Sequence, residues 1–190
     1  AEVIPPSLNR RTTFLDYISD LNTWEVQLLQ GTTLLHTVAE TIAMINDGPG
    51  LYLASDGSVV EGKYASFGFT INQEASTRKI ATGHGPVPGT CPTSFRAEAY
   101  GALAVGRLLL RLQRFSGVVI TQRVCHWIDN QAVVTGLQHE FQRRYTSPNA
   151  TMLPDWDVIH EVVQTFAQLQ GVTYELKWIK SHQDAGASYN

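Results

Sequence analysis

Leu51-Tyr52-Leu53-Ala54-Ser55-Asp56-Gly57-Ser58 follows directly on Asp47-Gly48-Pro49-Gly50, and the period of the chain changes at that junction. Upstream the apolar residues recur at helical spacing: Leu21, Trp24, Leu28 and Leu29, then Leu34 or Leu35, Val38, Ile42 and Ile45. The Gly-Pro stop cannot continue a helix. Downstream the period is two. Leu51, Leu53 and Ser55 alternate with Tyr52, Ala54 and Asp56, and Phe67, Phe69 and Ile71 alternate with Ser66, Gly68 and Thr70. A third short strand, 79–83, precedes a turn-rich stretch from Gly85 to Gly89. Short links between three strands predict an antiparallel meander. After Pro92 the helical period returns, with Thr93 or Ser94 as the N-cap and Ala99, Leu103, Gly106 and Leu110 on one face. A strand over 124–129 follows, then a helix from Gln131 to about Phe141 and a loop holding Arg143, Arg144 and Pro148. The chain continues with a helix carrying Trp156, Ile159, Val163 and Phe166, and a last strand over 172–179. Strands separated by helices run parallel, and hairpin-joined strands antiparallel. The expected fold is therefore α/β, a mixed five-stranded sheet flanked by helices. Residues 1–50 form a helical N-terminal extension or connection segment, and 51–190 the sheet domain.

Composition narrows the class. Of 190 residues, 43% are hydrophobic and 16% charged, too apolar a mixture for a disordered chain. No apolar run is long enough for a membrane span, and the N-terminus carries no secretory pattern, so an intracellular protein is expected in cytoplasm or nucleus. The absent initiator Met fits a processed or excised chain. Cys91 and Cys125 make neither a disulfide framework nor a zinc site. The formal charge is −3, whereas nucleic-acid-binding domains are commonly strongly basic.

Three acids fall at the ends of elements. Asp56 ends the first strand, Glu98 lies in the first turns of a helix, and Asp129 ends the fourth strand. Carboxyl ends of strands are where α/β sheets place ligands. Converging carboxylates repel one another and call for cations, and oxygen-only ligands suit Mg²⁺ or Mn²⁺. Two such ions activate a water and stabilise a leaving oxygen in phosphodiester cleavage. Each acid also has a plainer reading: Asp56 as a turn residue before Gly57, Glu98 as a partner of the helix dipole, Asp129 as a neighbour of the cap Asn130. His182, just past the last strand in Trp178-Ile179-Lys180-Ser181-His182, suits proton transfer near neutral pH.

In order, Ser55-Asp56-Gly57-Ser58, Phe95-Arg96-Ala97-Glu98-Ala99, Trp127-Ile128-Asp129-Asn130-Gln131 and Trp178-Ile179-Lys180-Ser181-His182 resemble the ribonuclease H type 1 family, most of all the ribonuclease H domains of eukaryotic retroelements. The resemblance covers about residues 51 to 184. It implies an endonuclease that cuts the RNA strand of RNA–DNA hybrids with two Mg²⁺ or Mn²⁺ ions. Asp56, Glu98 and Asp129 match the family's metal-binding carboxylates. His182 matches its loop histidine, and Gly57, Ser58, Thr93, Ser94 and Gln131 match substrate-contacting places. A covalently linked polymerase domain is the implied partner, with no membrane. Small polar groups can read 2′-hydroxyls in the hybrid's wide minor groove. The family's fourth carboxylate, on a later helix, has no match before Asn190, so the chain is expected to stop short of that helix. Asp184 serves in its place only if the loop curls back.

Two other classes stay open on the sequence: a non-catalytic module of the same fold, and an integrase, transposase or exonuclease type of nuclease. Arg107, Arg111 and Arg114 share a helix face that reads as a phosphate stripe or a solvated face. Arg143 and Arg144 are better placed to meet a nucleic-acid backbone. Asp56, Glu98 and Asp129 account for three of the 17 acids; the other 14 balance the 14 basic residues. A weak electrostatic grip on the hybrid is expected, with a partner domain supplying the rest.

Overall fold

A computed structural model describes residues 13–74, 76, 78–143 and 149–180. Two short helices open the described chain, α1 (Phe14–Ser19) and α2 (Thr23–Leu29). A two-residue strand β1 (Thr33–Leu34) and helix α3 (Val38–Asn46) follow. The meander is β2 (Leu51–Val60), β3 (Tyr64–Gln73) and β4 (Lys79–Val87). Then come α4 (Ser94–Ser116), β5 (Gln122–Ile128), α5 (Gln131–Gln142), a 3₁₀ turn at Ala150–Met152, α6 (Trp156–Ala167) and β6 (Val172–Trp178).

Among the described residues the strands form one six-stranded sheet in the order β1-β4-β3-β2-β5-β6. β2, β3 and β4 are antiparallel, while β5 runs parallel to β2 and β6 parallel to β5. The mixed α/β sheet agrees with the sequence reading. Its count rises from five to six because Thr33 and Leu34 pair with Thr82 and Ala81 at the edge. The helical period through Leu34 misled because α3 starts only after Thr37. There Thr37 Oγ1 accepts from Glu40 N while Glu40 returns to the Thr37 N–H, a capping box that sets the start.

β4 also runs into the predicted turn-rich stretch, pairing with β3 as far as Val87. β1 covers only Thr82 and Ala81, so Pro86 lies where β4 is an outer edge and its missing N–H costs no ladder bond. Gly83 and Gly85 leave room for the rings of Phe69 and Phe67.

The core forms between the sheet's buried face and the helices. Leu51, Leu53, Ile71 and Ile80 from the strands meet Leu108, Leu109 and Leu112 from α4. Phe14, Ile18, Leu28, Leu29, Ile42 and Ile45 of the N-terminal segment join the same core. That segment is also tied to α4 by charge. Glu25, almost fully buried, accepts from Arg107 Nε at 3.0 Å and from Arg111 Nε at 2.8 Å. The Arg107 guanidinium also lies 5.2 Å from the Trp24 ring. Arg107 and Arg111 are therefore committed to a buried acid and form neither a phosphate stripe nor a solvated face. Arg114 pairs with Gln168. Cys91 is exposed and Cys125 buried, both as free thiols. No described helix is long and apolar enough to cross a membrane.

Candidate active site

Parallel pairing of β2 with β5 sets the site. Ser55 is opposite Ile128, so the next residues, Asp56 and Asp129, lie side by side where β5 ends; β2 itself continues to Val60, paired with β3, so Asp56 lies within its strand and not at the end expected from the sequence. The third acid comes from α4, whose N-terminus crosses β2. A Cβ on Gly57 would lie 2.4 Å from the Ala97 carbonyl carbon and the Glu98 nitrogen. A Cβ on Gly101 would meet Ser55 Cβ at 3.0 Å. With a glycine on each partner, helix and strand approach closely enough to bring Glu98 against Asp56. Ligand oxygens of Asp56, Glu98 and Asp129 all lie within 4.8 Å of one another.

The three differ in exposure. Asp56 is exposed, Asp129 half-buried, and Glu98 only 4% exposed. Burial, then a hydrogen bond with Asp56 and the charges of Asp56 and Asp129, push the Glu98 carboxyl up to about 9, against a lowering contact from the Gly57 N–H. Glu98 therefore holds its proton at neutral pH when no cation is near. Its Oε2 is buried without a hydrogen-bond partner. An orphaned oxygen in a cluster of hard donors fits a divalent cation such as Mg²⁺ or Mn²⁺.

An open cleft of about 790 Å³ surrounds the cluster. Gly57, Ser58, Ser94 and Gln131 line it, four of the predicted substrate-contacting residues. Thr93 does not; its Oγ1 caps α4 by accepting from Arg96 N at 3.1 Å. Asn130 caps α5 in the same way, accepting from Val133 N at 3.2 Å. Two capped helix N-termini thus open onto the cleft, each favouring an anion. Arg143 ends α5 away from the cleft lining and lies 3.5 Å from Glu140. Arg144, His182 and Asp184 lie outside the described residues.

Sequence reasoning overlooked Trp178 as a site residue. It lines the cleft, and its Nε1–H donates to the Asp129 carbonyl at 3.0 Å. Its place at the end of the last parallel strand was the available signal. Arg96 is a support: it grips Asp157 with two bonds and Asp155 with a third at 3.0 Å, tying the starts of α4 and α6. These acids hold the guanidinium above its already high range, the bond to Asp157 foremost.

Solved structures match this architecture. The N-terminal RNase H domain of rv2228c from Mycobacterium tuberculosis, solved as a fusion with maltose binding protein, aligns with a TM-score of 0.50 at 13% identity. That alignment covers 73% of this chain and 87% of the other. The PFV RNase H domain aligns with a TM-score of 0.51 at 15% identity, over 74% of this chain and 86% of that one. The fold is ribonuclease-H-like. No protein-family model and no curated protein matches the sequence. The alignments leave out about a quarter of the chain, and their low identity makes the fold the shared property.

Proposed function

We propose that this chain cleaves the RNA strand of RNA–DNA hybrids by metal-assisted phosphodiester hydrolysis. The observation that carries the reading is the convergence of Asp56, Glu98 and Asp129, from three separate elements, on one point in an open cleft of a ribonuclease-H-like fold. Asp56, Glu98 and Asp129 are the residues that would hold Mg²⁺ or Mn²⁺, two ions in all. When bound, such ions neutralise phosphate charge and make a bound water acidic enough to act as nucleophile. Glu98 takes part only after giving up its proton, so a cation and a proton compete for it. The capped starts of α4 and α5 suit a phosphate, with Ser94 and Gln131 beside it. Gly57 and Ser58 leave room for a minor groove and offer small polar groups to 2′-hydroxyls, a contact that tells RNA from DNA. In the same proposal Thr93, Arg143 and Arg144 contact the hybrid, His182 transfers a proton or assists product release, and Asp184 adds an oxygen ligand. Residues 1–50 lead from a polymerase domain in the parent polypeptide, with 51–190 as the nuclease domain.

The test is cleavage of a hybrid labelled on its RNA strand, with Mg²⁺ or Mn²⁺, by the wild type, Asp56→Asn and Asp129→Asn. Metal-dependent cutting of RNA only in the hybrid, lowered about 100-fold or more in both variants, is expected from loss of a metal-site carboxylate. Cutting that survives Asp56→Asn, or that falls on plain duplex DNA and spares the hybrid, refutes it.

A further inference from the structure

Beneath the carboxylates the buried face of the sheet carries polar side chains where apolar ones belong. β2, β5 and β6 are adjacent parallel strands, and parallel strands covered by helices are normally Val-, Ile- and Leu-rich. Here Ser55 of β2, His126 of β5 and Tyr174 of β6 form one hydrogen-bonded chain. Ser55 Oγ lies 2.7 Å from His126 Nε2, and the Tyr174 hydroxyl lies 2.5 Å from His126 Nδ1. His126 is fully buried, and burial alone pushes its imidazole down to about 3, so the ring is neutral. A neutral imidazole has one N–H and one lone pair, and two hydroxyls use both. Phe166 stacks on the Tyr174 ring at 3.7 Å, fixing its plane. Ser55 is only 6% exposed and sits under Gly101, so it is closed to any substrate and is no nucleophile.

Each member is joined to the metal-site end of its strand. Ser55 directly precedes Asp56. His126 lies on β5 three residues before Asp129, which directly follows the strand's end. Tyr174 lies on the strand that ends at Trp178, the donor to the Asp129 carbonyl. Parallel strands have no tight hairpin to fix their register, so side chains must do it. A two-residue slip keeps every side chain on its face yet moves a strand by about 6.6 Å. That exceeds the 4.8 Å within which the three carboxylates meet. The slip would also part the three polar groups and leave each buried and unpaired.

We infer that Ser55, His126 and Tyr174 are positioning residues, a buried hydrogen-bonded strut that locks β2, β5 and β6 in the register that brings Asp56 and Asp129 to one cation site. The inference rests on the reading of that cluster as a metal site. It assigns the three residues a task in the site's geometry, in addition to whatever they contribute to stability.

The test is Mn²⁺ titration of the full chain by calorimetry, with thermal unfolding alongside. Variants are His126→Leu, His126→Gln, Ser55→Ala and Tyr174→Phe, with Leu176→Ala as a half-buried apolar control on the same face of β6. His126→Leu should unfold cooperatively and bind Mn²⁺ about 10-fold or more weakly, the usual loss when a residue behind a metal ligand is removed. His126→Gln, which offers both a donor group and an acceptor, should recover part of that loss. Leu176→Ala should lower the melting temperature and leave Mn²⁺ affinity within about twofold, because it takes no hydrogen bond from the strut although it lies opposite His126. Should His126→Leu not fold, Tyr174→Phe decides, because it removes a single oxygen. A folded His126→Leu or Tyr174→Phe that binds Mn²⁺ as tightly as wild type overturns the inference, as does an equal loss in Leu176→Ala. A wild type that binds no Mn²⁺ overturns the metal-site reading itself and the strut with it, a result distinct from variants and wild type binding alike.

Discussion

Replacing Glu98 by Gln should make the metal-free protein more stable, and the gain should grow with pH. Glu98 is 4% exposed and held at about 9, against an ordinary value of 4.5. Between those values the folded chain keeps a proton that the unfolded chain has released, so folding stability falls as pH rises from 4.5 to 9. Below 4.5 the contribution is fully present. At pH 8 the unfolded carboxyl is about 3.5 units past its own titration, which sets an upper limit of about 5 kcal/mol at about 1.36 kcal/mol per unit. The site opens onto a wide cleft, and solvent screening lowers this to about 2 kcal/mol. Gln has the shape of the protonated acid and no such penalty. Urea denaturation in chelator should therefore show Glu98→Gln about 2 kcal/mol more stable at pH 8, and by well under 1 kcal/mol at pH 5. In a chain of this size that is roughly 4 to 8 °C in melting temperature at pH 8. A matching signal comes from the cation. Mn²⁺ needs the ionised acid, so binding at pH 7 should release about one proton from wild type and none at this position from the variant. Titration calorimetry in two buffers of different ionisation enthalpy reads that number. An equal gain at pH 5 and pH 8, or no gain at pH 8, would refute the reasoning.

Other residues give independent predictions. Gly57→Ala puts a methyl into the backbone of Ala97 and Glu98 and should cost about 1–3 kcal/mol in stability, read by denaturation, together with a loss of Mn²⁺ affinity. Glu25→Ala strands Arg107 and Arg111 and should cost about 3–5 kcal/mol, roughly 6 to 20 °C in melting temperature, while a surface variant such as Glu61→Ala should change little. His126 is held down by burial, so its contribution is present above its ordinary 6.5 and is lost as pH falls toward 3. Between pH 7 and pH 5 the wild type should lose about 2 kcal/mol relative to His126→Leu, measured as the difference between their urea curves.

Much of the fold is legible in local pattern. The break at Asp47-Gly48-Pro49-Gly50, the period of two after it and the caps at Thr93 and Asn130 each depend on neighbours in sequence, and the structure keeps them. Where reading by pattern failed, a competing local signal or a distant partner was responsible. Helical spacing through Leu34 outweighed the Thr37–Glu40 capping box, which was there to be read. The Gly-Pro stretch of β4 reads as turn, and only the strand beside it and the rings above its glycines make it extended. Arg107 and Arg111 recur like a solvent stripe because nothing local announces that Glu25, far back in the chain, is buried against them.

The site divides along the same line. Asp56 and Asp129 stood out in the sequence because each reads as an acid closing an apolar strand, and Glu98 because it falls in the first turns of a helix, although β2 continues past Asp56 to Val60 in the structure. Those are properties of residues and their neighbours. That the three meet within 4.8 Å, that Glu98 alone among them is buried and so keeps its proton, and that Ser55, His126 and Tyr174 join hands beneath them are properties of register and close approach. Local periodicity fixes which face a residue takes. Only long-range pairing, set by the packed core and by two glycines that let α4 settle onto β2, determines which residues share that face at one point in space.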